Sequence, residues 1–191
     1  MFRRGFKSWC EQVAAKLRRD AGLAPVDPIP PTTIAADLNV KLVSASDLQD
    51  LAPETLARLL GAHNEAWSAI TVSDGDRHLV VFNPMHSAAR QANDVAHELA
   101  HIVLKHTPTF SFMNPEKQLL IRSFDKNQED EANWLAASIL LPRAALVSMR
   151  SKRVKNDEIC SRYGISPQLL TYRLNTTGVD RQMARRKAAL R

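Results

Sequence analysis

The run His97-Glu98-Leu99-Ala100-His101 sets two imidazoles four residues apart with a carboxylate beside the first. On a helix, positions four apart lie roughly 40° from each other around the axis and one turn apart along it. Both rings can then reach a single divalent cation, while Glu98 can act on a water that the ion holds. The chemistry implied is hydrolysis assisted by Zn²⁺; Mn²⁺ or Fe²⁺ suits the same ligand types. His97 and His101 are the expected metal ligands and Glu98 the expected general base.

The surrounding residues must supply a helix to carry this spacing. From Ser87 to His106 there is no Pro or Gly, and Ala88, Ala92, Val95, Ala96, Leu99, Ala100, Ile102, Val103 and Leu104 give a wide apolar surface. The pattern predicts a buried helix capped by Ser87. Two buried histidines and a carboxylate without a shared partner would be costly, and a metal removes that cost.

A catalytic zinc takes three protein ligands and leaves its fourth position open. The segment Asn127-Gln128-Glu129-Asp130-Glu131-Ala132-Asn133 offers three acids at the start of a second helix, from about Gln128 to Leu140 and stopped at Pro142. If Ala132, Leu135, Ala136, Ile139 and Leu140 form its core face, Glu131 lies at the edge of that face. Glu129 and Asp130 then fall toward solvent or the helix N-terminus, where acids are favoured electrostatically. The spacing therefore favours Glu131 as third ligand.

Upstream, Phe6 to residue 21 has helical spacing with Gly22 as a stop, Pro25 to Pro31 is a connector, and Ile34 to Leu38 is a short helix. Val40 to Val43 reads as a strand and Pro53 to Leu60 as a helix. Ala66 to Val72 and His78 to Phe82, joined by Ser73-Asp74-Gly75-Asp76, read as a hairpin. The expected fold is α+β and zincin-like: mostly helical, with a small antiparallel three-stranded sheet and a C-terminal helical region. An edge of that sheet could pair with an extended peptide. After His106, Phe110, Phe112 and Met113 fall in an expected loop and are candidates for a flap or a hydrophobic plug.

Residues 1–142 are expected to form the metal-site core and 143–191 a basic helical region packed on it or appended to it. That region carries twelve Lys+Arg against three Asp+Glu, or +9 of the chain's net +6, leaving −3 on the remainder. Lys155 to Tyr163 and Ser166 to Leu174, separated by Gly164, outline a helix–turn–helix compatible with DNA binding, although such hairpins are mostly packing units. Arg181, Arg185, Arg186, Lys187 and Arg191 could meet nucleic acid or an acidic partner. No apolar run approaches the roughly 20 residues of a membrane span, and the basic N-terminus lacks the apolar stretch of a secretory signal. The expectation is a cytoplasmic protein without membrane contact. Cys10 and Cys160 match no metal-site spacing and read as buried or incidental thiols. Nothing in the pattern specifies an oligomeric state.

A set of linked segments resembles the ImmA/IrrE-type zinc metallopeptidases. These are Ser68-Ala69-Ile70-Thr71, His78-Leu79-Val80-Val81-Phe82-Asn83, Arg90 ahead of the His97–His101 motif, and Glu131-Ala132-Asn133-Trp134-Leu135-Ala136 running to Leu140-Leu141-Pro142. Tyr163-Gly164-Ile165-Ser166 and Tyr172-Arg173-Leu174 complete them. The resemblance implies the third ligand at the Glu before the Ala-Asn pair, which is Glu131. It also implies an intracellular endopeptidase that cleaves a helix-turn-helix repressor and so relieves repression. Two other readings remain: a non-proteolytic regulator binding DNA or a repressor through the basic C-terminal region, and a zinc hydrolase of small peptides. Tyr172, Tyr163, His106, Arg90 and His86 are candidates for an oxyanion donor, and Asp94 for a residue orienting an imidazole.

Overall fold

The first helix, α1 (Phe6–Asp20), buries Phe6, Cys10, Ala14 and Leu17, a stripe at helical spacing. In the computed structural model, which describes residues 2–48, 51–61, 64–106, 109–112, 120–123 and 125–189, this stripe packs on the longest buried helix of the C-terminal half. At its end Gly22 takes the left-handed conformation at φ +71°. Its N–H and that of Leu23 turn back to Arg19 and Arg18 carbonyls, a Schellman cap that swings Leu23 onto the core. Proline at the first helical position then opens α2 (Pro31–Asp37).

The strands β1 (Val40–Ser44), β2 (Ala69–Asp74) and β3 (Arg77–Phe82) form one sheet in the order β1-β3-β2. The expected hairpin is present: β2 and β3 pair antiparallel, with Asp74 opposite Arg77 and Gly75 at φ +56° in the turn. The sheet is mixed rather than wholly antiparallel, because β1 runs parallel to β3 with Val40 opposite His78. Parallel neighbours need a long crossover. Here it includes α3 (Pro53–Leu60), a short 3₁₀ turn at Asn64–Ala66, and β2 itself. Ala66, where the spacing predicts the start of β2, ends that turn, and the strand begins three residues later at Ala69.

Helix α4 (Ala88–Val103) follows the sheet, with the Ser87 hydroxyl accepting from the Arg90 N–H at 3.4 Å. The expected loop beyond it holds two paired strands, β4 (Thr109–Phe112) and β5 (Leu120–Ser123). Met113 lies outside the described residues, as do the side chains of Phe110 and Phe112. Helix α5 (Lys126–Leu140) starts at Asp125, whose carboxylate accepts from the Asn127 and Gln128 N–H groups. Leu141-Pro142 breaks it, and α6 (Arg143–Ser151), α7 (Asn156–Tyr163), α8 (Pro167–Thr177) and α9 (Val179–Ala189) follow. The region beyond 142 thus has α6 and α9 in addition to the two expected helices.

One buried cluster joins residues from Phe6 to Val179. The α4–α5 contact lies within it, and both helices bring small buried side chains to the cluster, Ala96 and Ala100 on α4 and Ala132 and Ala136 on α5. Small side chains let the two helix axes approach closely, so short side chains on one helix can reach the other. Two buried arginines tie α1 and α8 to α5. Arg18 donates to the carbonyls of Ala14, Asp27 and Ile139 at 3.1, 2.7 and 2.8 Å. Arg173 donates to Leu141 O at 2.8 Å, Ser138 Oγ at 3.1 Å and Glu11 Oε1 at 2.5 Å. Among the described residues no single helix is long and apolar enough to cross a membrane.

Candidate metal centre

The four-residue spacing on α4 turns His97 and His101 to one side, and their Nε2 atoms stand 3.0 Å apart. The third group at this point comes from the first turn of α5. Glu129 sets Oε2 3.1 Å from His97 Nε2 and Oε1 3.6 Å from His101 Nε2. Ligand atoms of the three residues all lie within 4.8 Å of one another. Two imidazole nitrogens and one carboxylate form a donor set suited to a catalytic zinc. The residues present fit the ion.

Glu131, the ligand expected from the sequence, does not join the three. Its Oε2 lies 3.4 Å from His106 Nε2. The reason is helical phase. At about 100° per residue, Glu129 sits roughly 60° from Ala132 and 20° from Ala136, inside the face that meets α4. Glu131 sits about 100° from Ala132 on the other side, outside that face. Counting back three and seven residues from Ala132 and Ala136 reaches Glu129.

Each imidazole of the candidate centre is held from behind. His97 Nδ1 lies 3.1 Å from Asn133 Oδ1, one turn along α5 from Glu129. His101 Nδ1 lies 2.9 Å from His106 Nδ1. With a cation held at both Nε2 atoms, the Nδ1 atoms would carry the protons and donate. Glu98 points toward the sheet and is 5% exposed. The Thr71 hydroxyl of β2 donates to its Oε2. Neither Asn133 nor Thr71 was singled out from sequence. Asn133 stands four after Glu129, and Thr71 is the inward residue between exposed Ile70 and Val72.

Most of the other candidates are committed elsewhere. His86 Nδ1 pairs with Asp94 at 3.3 Å, so Asp94 lies against His86 and not against His97 or His101. Arg90 pairs with Glu65 at 2.6 Å and lies 3.8 Å from Asp94. Arg90 holds the Glu65 carboxyl below its usual range. Tyr163 donates to Val26 O at 2.5 Å, and burial raises its phenol. Tyr172 packs edge-on against Trp134, with centroids 6.1 Å apart, on a groove of about 740 Å³. Burial, with Glu11 adding to it, pushes the Cys10 thiol up to about 12, so that sulfur stays an unreactive core group.

A family model described as the IrrE N-terminal-like domain and classed as a peptidase matches residues 49–175. Among solved structures, a Mycobacterium tuberculosis transcriptional regulator resembles the chain with a TM-score of 0.51 and 14% identity, covering 91% of this chain. The chain spans 47% of that structure, and at this identity the likeness is one of fold. No curated protein sequence matches the chain.

Proposed function

The chain belongs to the IrrE N-terminal-like domain family, a metallopeptidase-like family, and on that premise we propose that it is a zinc-dependent endopeptidase that cleaves a helix-turn-helix repressor inside the cell. The observation that carries this reading is the convergence of His97, His101 and Glu129 on one point, with Glu98 next to His97 on the same helix. A zinc ion in such a set supplies Lewis acidity and brings the pKa of a coordinated water toward about 7.

The chain's own groups do the rest. Glu98 takes a proton from the attacking water and delivers it to the departing amine. Thr71 fixes the carboxylate by donating to Oε2. The same residue belongs to β2, which lies at the end of the strand order β1-β3-β2. An extended peptide adding to that edge would pair by main-chain hydrogen bonds and lie next to Glu98. Ile70 and Val72, 49% and 54% exposed, offer such a peptide apolar contacts.

The test is to incubate the purified chain with helix-turn-helix repressors from the same genome and to follow the products by mass spectrometry. A single cut is expected, lost with a chelator and lost on Glu98→Gln. Cleavage that survives Glu98→Gln overturns the mechanism. A second reading, a non-proteolytic regulator, draws on the +9 charge of residues 143–191 and on exposed Arg181, Arg185 and Arg186 along α9. The similar solved structure is that of a transcriptional regulator, which agrees with this second reading. DNA retardation without repressor cleavage would favour it.

A further inference from the structure

The end of α4 departs from the chain's other capped helices. Its last turn closes with a Schellman motif: Lys105 N–H bonds to Ile102 O, and His106 N–H to His101 O, both at 3.0 Å. The same pair of bonds ends α1, α6 and α7, and there the residue brought back is apolar: Leu23, Val154 and Ile165. At α4 it is a histidine, and the residue it is brought back to is the ligand His101. Lys105 takes the left-handed conformation at φ +53° without being glycine, which costs an L residue about 1 kcal/mol or more. The strained turn lays the His106 ring, 8% exposed, against His101.

The ring nitrogens then have assigned roles. His101 Nε2 faces the cation site, so its Nδ1–H donates to His106 Nδ1 at 2.9 Å. His106 therefore carries its proton on Nε2, which donates to Glu131 at 3.4 Å. We propose that His106 and Glu131 are positioning residues, a carboxylate–imidazole relay that fixes the tautomer and orientation of His101 and strengthens its bond to the ion. This rests on the metal reading above and gives Glu131 a part in the centre without making it a ligand. Outer partners of this kind tune ligand basicity and metal affinity.

The test is zinc affinity, read by competition with a chromophoric chelator, with circular dichroism confirming that each metal-free variant is folded. His106→Phe, which keeps a ring but no acceptor, is expected to weaken zinc binding about 10- to 100-fold. His106→Gln, which restores an acceptor, should recover part of that loss, a rescue that packing alone would not give. Glu131→Gln should weaken binding in the wild-type background but add nothing to His106→Phe, because it acts only through that ring. Unchanged affinity in His106→Phe overturns the relay. So does a Glu131→Gln loss that is equally large in both backgrounds, which would make Glu131 act on the ion directly. Zinc binding by the wild type that is abolished by Glu129→Gln keeps the metal reading intact whichever way the relay falls. A wild type that binds no zinc overturns both.

Discussion

Glu129 and Glu131 stand two residues apart and serve different imidazoles, the first at His97 and His101, the second at His106. The division follows from the roughly 100° step of the helix, which sends alternate residues to well-separated faces. The sequence made the two histidines and Glu98 legible because their spacing within one helix is sufficient. It left the third carboxylate of the candidate centre open between neighbouring acids, because which of them faces the two histidines depends on where the partner helix lies. Thr71 shows the same limit, since a hydroxyl on a strand acquires meaning only when Glu98 is set beneath it. Thr71→Val removes the donor with little change of shape. It should lower kcat about tenfold while leaving zinc affinity unchanged, as stopped-time peptide assays and chelator competition would show.

At the scale of elements, the site depends on two alanine-lined helix faces and one strained cap. The α4 and α5 helices were readable from periodicity and from their ends at Ser87 and Pro142. The sheet was readable as strands but not as a pairing. Residues 69–82 form a local hairpin that turn chemistry announces, whereas the parallel partnership of β1 with β3 is made by a crossover that no short pattern encodes. The basic region was readable as helical, but α9 within it and the β4–β5 pair have no individual signal, because their residues show weak apolar periodicity or lie among turn formers. The cap at Lys105 is where a stability prediction belongs. Lys105→Gly relieves the left-handed strain and should raise the unfolding free energy by up to about 1 kcal/mol in denaturant titrations, with zinc affinity kept.

Across the whole molecule, charge buried in the core ties the C-terminal region to α1 and α5. Arg173 reaches from α8 to the last turn of α5 and to Glu11 on α1, and no part of it is exposed. Arg18 makes the corresponding tie from α1 to Ile139 O. Burial lowers the Arg18 guanidinium to about 10, still well above neutrality, so it remains charged among its carbonyl partners. Arg173→Met should cost about 3 kcal/mol, because it strands Leu141 O and the Ser138 hydroxyl and releases Glu11. Thermal melting would register that loss. Because α5 carries Glu129 at one end and this network at the other, the variant should also bind zinc more weakly near its melting range.

The most direct test of the metal centre is a crystal structure of the zinc-soaked chain with anomalous data collected at the zinc edge. One strong peak is expected about 2.0–2.2 Å from His97 Nε2, His101 Nε2 and a Glu129 oxygen, with Glu131 on His106 and an open position toward Glu98. A peak coordinated by Glu131 instead of Glu129, or no peak between the two histidines, would contradict it.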